Sequence, residues 1–497
     1  MMGISEIITL ALAYAETHLS LEKEDETFFV NLLLDHFGAK EPFAGSIDRA
    51  KVADMKVPDA IFDAIVKYDV EVRLWDPSAA ERDATWVLGL LSPRPSSVTK
   101  VFNVLKGISP ERATEYLYDL SIKNDYIQKS KVDKNLHWVA SFPDGPELEI
   151  SINLSKPEKN NKDIAKLSTA APTGYPQCLL CKENVGFAGN ASHPARENIR
   201  VIPITLDGGR WYLQYSPYAY YSHHCIVFYD EHIPMALNPH ILRCLFDFVD
   251  QFPHFFIGSN SDLPIVGGSI LNHEHFQGGG HEMPMMKAAV RRVLPSSTKT
   301  TSIAVLDFYD TVLKLSGPDK EEILSLGAKL TEKWRNYDDR EHNILSRELE
   351  VQHSTVTPIV RKVGRVYELF LILRNNYCTK DFPDGLFHVH PEYQYIKQEG
   401  IGLIEAAGLF ILPARLVRQG QEAEEVTRKG YSYEQAIAAY PDLKPFAPML
   451  SDLQTKKRTV QGHIGWVCQR ILENVAVYKN NEEDQKALDA FVKEALA

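Results

Sequence analysis

The stretch Asn272-His273-Glu274-His275-Phe276-Gln277 leads directly into three glycines at positions 278–280. An extended strand turns successive side chains to opposite faces, so His273, His275 and Gln277 are expected to share one face at intervals of about 7 Å. Two imidazoles and a carboxamide in one row, followed by a glycine loop, are suited to handling a phosphate group. For an isolated pair of histidines, ordinary buried or surface positions are an equally good interpretation.

The composition is that of an ordinary globular protein. The 497 residues are enough for roughly three domain-sized units, and the hydrophobic (44%) and charged (24%) fractions are typical of a protein with a packed core. With 54 basic against 66 acidic residues, the net charge of −12 disfavours nonspecific binding to nucleic acid or to a membrane surface. An anionic substrate would therefore need basic residues that are placed locally.

The N-terminus and the cysteines favour a cytoplasmic protein. Glu6 precedes the first apolar stretch, Ile7 to Ala15, and no lysine or arginine does, which is unlike a signal peptide. No apolar run approaches the roughly 20 residues that span a bilayer. Six cysteines in a chain of this length do not suggest a disulfide framework.

Residues 1–130 are predicted to be mainly helical and to serve as a scaffold. Ser109-Pro110-Glu111 is a typical helix start, with a serine N-cap, a proline at the first position and an acid in the first turn. Apolar residues recur at helical spacing in four further stretches. These stretches are Ile7–Leu19, Thr27–Phe37, Ala60–Lys67 and Ala84–Leu91.

Residues 131–300 are predicted to form the first half of an α+β region. Pro143-Asp144-Gly145-Pro146 separates two strand-like runs, as in a β-hairpin, and the polar segment Ser155 to Lys162 is expected to be exposed. Pro239–Phe252 has the pattern of an amphipathic helix. The predicted strands besides the histidine motif are Leu136–Phe142, Leu148–Leu154, Arg200–Leu206, Arg210–Tyr215 and His224–Tyr229.

Residues 301–497 are predicted to have a similar layout. Pro358–Val363 and Tyr367–Arg374 are predicted strands, and a second HxH motif begins at His388, as the first begins at His273. The similar order suggests two related halves, although the sequence repeat is weak. The tail is predicted to return to helix from Gly402 onward, in Glu422–Thr427, Ser432–Ala439 and Glu483–Leu496.

Cys178-Leu179-Leu180-Cys181 has the spacing of a zinc-binding pair and also that of a redox pair. The βαβ context of a thioredoxin-like redox motif is not evident, and a four-coordinate zinc needs two more ligands. His232, at the end of a predicted strand, and His273 would complete a Cys2His2 set. Two ordinary reduced thiols are the alternative.

His275 is the candidate nucleophile. A neutral imidazole, with an ordinary pKa of about 6.5, can attack phosphorus and form a phosphoramidate, which splits one transfer into two displacements. Gln277 can donate a hydrogen bond to the phosphate but carries no labile proton, so we expect it to stabilise rather than to act as a general acid. That suits a good leaving group such as a sugar phosphate and disfavours water as the acceptor.

Several polar residues near this motif are candidates for binding the substrate. Arg196 and Arg200 are suited to bidentate contacts with a phosphate, although a surface ion pair explains either one as well. The aromatic run Tyr215 to Tyr221 would border a base or sugar pocket, or pack in the core. Asn260 and Ser269 are further hydrogen-bonding candidates that mean little alone.

The second HxH motif has two interpretations. His388 and His390 are predicted to share a strand face, where they would bind a second metal or contact a sugar phosphate. A structural role is equally compatible with the pattern.

Taken together, these motifs resemble the galactose-1-phosphate uridylyltransferase family, most specifically in GGSILNHEHFQ (267–277) after the CxxC. That family belongs to the histidine-triad (HIT) superfamily, and its transferases have glutamine in place of the third triad histidine. Glu274 stands where the first class of the family has proline. Together with the helical N-terminal region and the phrases HPARENIR (193–200) and YELFLILRNN (367–376), it resembles the bacterial second class. The resemblance covers most of the chain.

The resemblance implies a fold and a reaction. The fold would be α+β, with two HIT-like halves that have antiparallel sheets, preceded by the helical region. The enzyme would exchange UMP between UDP-glucose and galactose 1-phosphate in galactose metabolism, with UDP-glucose or UDP-galactose and hexose 1-phosphates as its small-molecule partners. It would be a homodimer with residues from both subunits in its site.

The resemblance also implies roles for individual residues. His275 would carry the uridylyl group, and Gln277 would hold its phosphate. His388 and His390 match a second-half HxH that helps to bind another metal in the first class, and the sequence leaves that second metal open here. The implied zinc ligands are Cys178, Cys181, His232 and His273.

Two other functions stay open on the sequence. The first is a nucleotide-sugar phosphorylase or hydrolase on the same scaffold, and Gln277 argues against the hydrolase. The second is a non-enzymatic, zinc-dependent binding module, in which the cysteines would be essential and His275 dispensable.

Overall fold

The computed structural model describes residues 2–143, 145–154, 174–190 and 193–497. Asp144 and the predicted exposed segment Ser155 to Lys162 lie outside the described residues. Within the described ranges, no helix is both long and apolar enough to cross a membrane.

The N-terminal region is helical, as predicted. Its helices are α1 (Ile4–His18), α2 (Glu26–Phe37), α3 (Arg49–Asp54), α4 (Asp59–Glu71), α5 (Pro77–Leu91), α6 (Pro95–Lys106), α7 (Pro110–Lys123) and α8 (Lys129–Val132). The predicted start of α7 is confirmed, because the Ser109 hydroxyl accepts a hydrogen bond from the Arg112 amide and Pro110 is at the first helical position.

The strands predicted in the rest of the chain are confirmed, with ends shifted by a few residues. In the described residues the strands are β1 (Leu136–Phe142), β2 (Gly145–Asn153), β3 (Ile202–Leu206), β4 (Gly209–Tyr215), β5 (Cys225–Tyr229), β6 (Phe256–Ser259), β7 (His275–Gly279), β8 (Val290–Leu294), β9 (Ser302–Leu306), β10 (Val312–Gly317), β11 (Arg347–Glu348), β12 (Val351–Gln352), β13 (Ser354–Val363), β14 (Val366–Asn375) and β15 (Leu409–Pro413). Several of them, including β6, β8 and β15, have no counterpart among the predictions.

Helices connect and cover these strands. They are α9 (Pro239–Gln251), α10 (Pro284–Lys287), α11 (Lys320–Arg335), α12 (Leu403–Ala406), α13 (Arg415–Arg428), α14 (Tyr433–Ala439), α15 (Ala447–Thr455), α16 (Val460–Val475) and α17 (Glu482–Leu496). The predicted amphipathic helix at Pro239 is α9, and the three helices predicted in the tail are parts of α13, α14 and α17.

Ten strands form one antiparallel sheet in the order β3-β4-β5-β7-β6-β13-β14-β10-β9-β8. The sheet consists of two groups of five strands, one on each side of its centre. From the outer edge inward, each group contains its first, second, third, fifth and fourth strand in chain order. A helix follows the third strand in both groups, α9 in one and α11 in the other. The α+β fold class is therefore confirmed. Because β8 pairs with β9, strand pairing crosses residue 300, and the domain limits 1–130, 131–300 and 301–497 stay a prediction.

The two HxH motifs do not occupy equivalent positions in the two groups of strands. β14 is the counterpart of β7, and His388-Val389-His390 lies beyond its end in a segment without strand structure. The prediction that His388 and His390 share a strand face is therefore wrong. The similar spacing of two short motifs does not fix strand register, because register depends on partners elsewhere in the sheet.

The C-terminal region is not wholly helical, contrary to the prediction. β15 lies parallel to β2, with Leu409 opposite Glu149, and completes a small sheet in the order β1-β2-β15. A five-residue apolar run cannot be told from part of a buried helix by periodicity alone.

Two hydrophobic cores lie on the two faces of the large sheet. The first contains Phe276 of β7 together with residues of α9, α11 and the N-terminal helices, and the second contains Phe256 of β6 together with residues of the small sheet and α16. Since side chains alternate along a strand, Phe276 in the first core turns His275 and Gln277 to the opposite face.

Helix α5 packs directly on the backbone that follows the CxxC loop. A Cβ at Gly89 would lie 2.5 Å from the Cβ of Glu197 and 2.6 Å from its carbonyl carbon. We expect Gly89→Ala to lower the free energy of unfolding by about 1–3 kcal/mol, because the new methyl group would force α5 and the backbone at Glu197 apart. Urea denaturation measures this. The matched control is Gly107→Ala, where the new Cβ would make only ordinary contacts. Equal denaturation midpoints for the two variants would contradict the tight packing.

Candidate metal centre and active site

Four cysteine and histidine side chains converge next to β7. The CxxC loop contributes Cys178 and Cys181, the loop after β5 contributes His232, and His273 lies two residues before β7. The Sγ atoms of the two cysteines are 3.6 Å apart, Cys178 Sγ is 3.2 Å from His273 Nδ1, and Cys181 Sγ is 3.2 Å from His232 Nδ1. All four candidate ligand atoms lie within 4.8 Å of one another.

These distances fit a tetrahedral zinc ion. Bond lengths of about 2.3 Å to sulfur and 2.0–2.1 Å to nitrogen separate ligand atoms by about 3.3–3.8 Å. The Nε2–H group of His273 donates to the Tyr229 carbonyl at 2.9 Å, which leaves the Nδ1 lone pair for the metal. Asn184 donates to the carbonyls of Cys178 (2.8 Å) and Cys181 (2.7 Å) and thereby fixes the turn of the CxxC loop.

The thiols are prepared for metal binding. The pKa of Cys181 is lowered to about 3. The contact with Cys178 is the largest cause; burial acts against it, and the contacts with the His273 and His232 imidazoles lower the pKa further. The same contact raises the pKa of Cys178. A metal ion binds both sulfurs as thiolates, so metal binding would release the protons that the thiols carry. Among the described residues this is the one group of three or more Cys, His, Asp or Glu side chains with such geometry, and neither His388 nor His390 belongs to it.

His275 is the first residue of β7 and is buried, with 5% of its surface exposed. Its Nδ1–H group donates to the His273 carbonyl at 2.8 Å, so Nε2 carries the free lone pair. Burial lowers the pKa of His275 to about 4, which keeps the imidazole neutral at neutral pH. Because β7 begins only at His275, the predicted row of three side chains on one strand is wrong. His273 belongs to the metal centre, and only His275 and Gln277 share the strand face.

His224, which the sequence analysis does not select as a site residue, contacts the glutamine of the motif. Its Nε2 lies 3.1 Å from Gln277 Oε1, its Nδ1 has no partner among the described residues, and burial lowers its pKa to about 4. A neutral imidazole in this position donates from Nε2 to Oε1, which fixes the orientation of the carboxamide and leaves the Gln277 amide hydrogens for a phosphate. A histidine outside any motif carries no sequence signal for this role.

Asn260 lies beside His275. It follows the last residue of β6, Ser259, which is opposite Phe276 of β7. The Asn260 Oδ1 atom accepts a hydrogen bond from the Leu403 amide at 2.9 Å, and its Nδ2 group is buried with no partner among the described residues. Ser269, by contrast, is exposed in the loop before the histidine motif.

Two residues of the second half also have buried nitrogen groups without a partner. Both ring nitrogens of His388 and the Nε and Nη1 groups of Arg374 are buried without a partner among the described residues. Arg374 donates from Nη2 to the Ile401 carbonyl at 2.8 Å, two residues before Leu403. Burial, followed by the charges of Arg374 and Lys397, lowers the pKa of His388 to about 3.

Lys397 and its partners extend the same group of polar side chains. The Lys397 ammonium donates to Glu405 Oε1 at 3.1 Å and to the Ile411 carbonyl at 3.2 Å. Burial raises the pKa of Tyr220, and the nearby Glu405 carboxylate adds to the effect. The Tyr220 ring also stacks on His224, with the ring centres 5.2 Å apart.

His390 turns away from these groups. Its Nε2–H donates to the Leu386 carbonyl at 2.9 Å, and its ring packs on Phe382 at 4.2 Å. Of the two histidines in the second HxH motif, only His388 is directed toward the buried nitrogen groups.

Arg200 has a structural role, contrary to the prediction that it binds a phosphate. Its five N–H groups are all directed at main-chain carbonyls, which belong to Gly89, Ser92, Pro93, Glu197 and Ile199. Because no donor is left over, Arg200 ties the C-terminal end of α5 to the segment that precedes β3.

Arg196 lines a cavity of about 360 Å³ between the helical region and the loop after the CxxC. Arg82 and Lys131 line the same cavity, and none of the three forms an ion pair with a carboxylate of the described residues. Two carboxylates, Glu81 and Asp125, also line it, so the cavity offers both donors and acceptors.

Aromatic rings connect this cavity with the buried site. Tyr126 and Tyr218 form part of its wall, and the Arg196 guanidinium lies 5.7 Å from the Tyr126 ring centre. Tyr218 stacks on Tyr220 at 5.8 Å, and Tyr220 stacks on His224. The predicted alternative that the aromatic run borders a pocket therefore applies to Tyr218.

Removal of one thiolate should empty the metal centre. We expect the protein to bind about one zinc ion per chain and Cys181→Ala to bind almost none after dialysis, because three remaining ligands hold zinc much less tightly. Metal analysis by mass spectrometry measures the content. Cys244→Ala, which removes a buried thiol outside the set, should keep its zinc. A Cys181→Ala variant that retains a full equivalent would rule out this ligand set.

The chain matches known proteins over nearly its whole length. Residues 54–234 match the family model for galactose-1-phosphate uridyl transferase, N-terminal domain. The galactose-1-phosphate uridylyltransferase of Caldanaerobacter subterraneus subsp. tengcongensis is 39% identical, over 94% of this chain and 93% of that protein. The enzyme of the same name from Clostridium acetobutylicum is 38% identical, over 98% of this chain and 99% of that protein. At this identity and coverage, the chain belongs to the galactose-1-phosphate uridylyltransferase family.

Proposed function

We propose that the protein exchanges UMP between UDP-glucose and galactose 1-phosphate, with the uridylyl group carried covalently on His275. Family membership supports the overall reaction. The observation that carries the mechanism is the hydrogen bond from His275 Nδ1 to the His273 carbonyl, which leaves Nε2 as the free nucleophile of a buried, neutral imidazole.

In the first step, the Nε2 lone pair of His275 attacks the α-phosphorus of UDP-glucose. A P–N bond forms as the P–O bond to the β-phosphate breaks, and glucose 1-phosphate leaves with the bonding electrons. The imidazole becomes a cation, and its Nδ1–H remains hydrogen-bonded to the His273 carbonyl. The phosphoryl oxygens need hydrogen-bond donors during this step, and the Gln277 amide is oriented to be one of them.

In the second step, a phosphate oxygen of galactose 1-phosphate attacks the same phosphorus. The P–N bond breaks, its electrons return to Nε2, and UDP-galactose leaves a neutral His275. No proton is transferred in either step, which agrees with an amide rather than an acid at Gln277. Water as acceptor would have to lose a proton, and neither Gln277 nor the neutral His224 beside it is a ready base.

Residues of the second half would bind the sugar phosphate. The unpartnered nitrogens of Arg374 and His388 are buried, as is that of Asn260 at the end of β6, and a buried donor without a partner costs free energy until a ligand supplies an acceptor. A phosphate or a sugar hydroxyl supplies such acceptors. Arg196, in the cavity with Tyr126 and Tyr218, would contact the nucleoside portion, for which stacking rings and mixed donors and acceptors are suited.

The bound zinc ion, if present, would have a structural role. Its four protein ligands leave no open coordination position, as in other structural sites. Its effect would be to hold the CxxC loop and the loop after β5 against the peptide that precedes His275.

The covalent intermediate can be detected directly. We expect the intact mass of the protein to increase by one uridylyl group when UDP-glucose is added alone, and to return to its original value when galactose 1-phosphate is added. His275→Ala should form no adduct and should lose turnover by about 10⁴-fold or more, because the attacking imidazole is gone.

The control for this experiment is His240→Ala. It removes a half-exposed histidine of α9 that is paired with Asp207 and lies outside the motif. It should form the adduct as the unmodified protein does. Substantial turnover in His275→Ala would refute the nucleophile, and steady release of free UMP without an acceptor would favour the hydrolase alternative. Normal physiological function in His275→Ala, lost only in Cys178→Ala, would favour the binding-module alternative.

The contact of His224 with Gln277 can be tested by a double-mutant cycle. We expect His224→Ala and Gln277→Ala each to lower kcat by roughly 10–100-fold, the effect of one hydrogen bond worth about 1–3 kcal/mol. If His224 acts by orienting Gln277, the double variant should be no slower than Gln277→Ala alone. His224→Asn, which keeps an N–H donor, should recover part of the rate. Additive losses in the double variant would mean that His224 acts independently of Gln277.

The homodimer implied by the resemblance, and the cytoplasmic location favoured by the N-terminus and the cysteines, stay predictions. Sedimentation analysis of the purified protein tests the first of them.

A further inference from the structure

We propose that Glu274 is a positioning residue for the nucleophile, which it orients through the loop that carries the metal ligand His232. This inference rests on the proposed role of His275. Glu274 separates His273 from His275 in the sequence, and its side chain is directed at the loop after β5, where it accepts a hydrogen bond from the Ala236 amide. It therefore acts at a distance from the substrate.

The peptide unit between His273 and Glu274 determines how the His275 ring is held. The carbonyl of this unit accepts the hydrogen bond from His275 Nδ1 at 2.8 Å, and its N–H group, that of Glu274, donates to the Ile233 carbonyl at 2.8 Å. A peptide unit is planar, so fixing its N–H direction also fixes its carbonyl direction. The position of Ile233 thus determines the orientation and the tautomer of His275.

The Glu274 side chain holds the loop that contains Ile233. Its Oε2 atom accepts a hydrogen bond from the Ala236 amide at 2.9 Å. At the end of β5, where the loop begins, the Tyr229 amide donates to the Glu274 carbonyl at 3.0 Å. Main chain and side chain of one residue therefore contact the beginning, the middle and the end of the segment from Tyr229 to Ala236.

Further contacts make this loop a rigid support. The Met235 amide donates to the Leu271 carbonyl at 2.9 Å, and the Leu237 amide donates to Asp262 Oδ2 at 3.1 Å. Asp262 is itself held by an ion pair with Arg335. His232, one residue before Ile233, ties the loop to the metal centre. Glu274 is the link by which this support reaches the nucleophile.

The carboxylate is kept at this position at an energetic cost. Only 3% of the Glu274 surface is exposed, and its Oε1 atom is buried without a partner among the described residues. An apolar side chain would avoid burying that oxygen but would leave the Ala236 N–H unpaired. The hydrogen bond from the Ala236 amide is therefore the contact that a carboxyl group provides at this position and an apolar side chain would not.

The test compares three substitutions at this position. Glu274→Gln keeps a carbonyl oxygen that can accept from the Ala236 amide. Glu274→Ala removes this acceptor, and Glu274→Asp shortens the side chain by one methylene, which moves the acceptor away from the amide. We expect Glu274→Ala and Glu274→Asp to form the uridylyl adduct roughly 10–100-fold more slowly, with KM almost unchanged, and Glu274→Gln to stay within about threefold of the unmodified protein.

A second readout does not depend on turnover. In protein with ¹⁵N-labelled histidine and no substrate, the nitrogen chemical shifts of His275 report which ring nitrogen carries the proton. We expect protonation at Nδ1 in the unmodified protein and in Glu274→Gln, and a mixture of tautomers in Glu274→Ala. Zinc content should stay at one per chain in all variants. Asp69→Ala, which removes a buried carboxylate in the helical region, serves as the control for a loss of stability alone and should keep both the rate and the tautomer.

These readouts separate the inference from the proposed function. An unchanged tautomer and rate in Glu274→Ala would overturn the positioning role, as would a loss in Glu274→Gln equal to that in Glu274→Ala, or a loss of zinc that parallels the loss of rate. A changed tautomer together with no uridylyl adduct in the unmodified protein would support the positioning role and refute the proposed reaction.

Discussion

The close pairing of β6 with β13 joins the two halves of the sheet, and it depends on the absence of a side chain at Gly258. A Cβ at this position would lie 2.8 Å from the Pro358 carbonyl oxygen and 2.5 Å from a methyl group of Leu403. Because the two strands approach so closely, Asn260 at the end of β6 reaches the Leu403 amide. The end of β6, the strand that pairs with β7 and its candidate nucleophile, is thereby tied to the second half of the chain.

Two buried cations distinguish the second half of a chain that is acidic overall. The chain carries a net charge of −12, yet Arg374 and Lys397 are almost completely buried. Charged groups in the interior are costly unless they are paired, and Lys397 is paired with Glu405 while two of the three Arg374 nitrogens have no partner among the described residues. Such an arrangement is suited to an anionic ligand that enters and leaves, because the ligand supplies the missing partner.

The sequence predicted the features that depend on residue type and short spacing. The CxxC spacing, together with two histidines next to predicted strands, named the four side chains that the structure brings together, since zinc ligands are few in kind. The helical N-terminal region and the main strands followed from periodicity. The sequence could not predict that His388 lies outside a strand or that every Arg200 N–H group donates to a backbone carbonyl. Both features depend on contacts between segments far apart in the chain. His224 was missed for a related reason, since its only significance is the proximity of Gln277.

The parallel pairing of β15 with β2 has a consequence for how the chain folds. The hairpin of β1 and β2 is made early in synthesis, whereas β15 is made only after more than half of the chain has followed. Until then one edge of β2 has no partner, and such an edge is prone to pair with other chains. Contacts of such high sequence separation also form slowly. The small sheet is therefore expected to be completed late, so that a ribosome-bound chain would have its metal centre assembled before its β2 edge is protected.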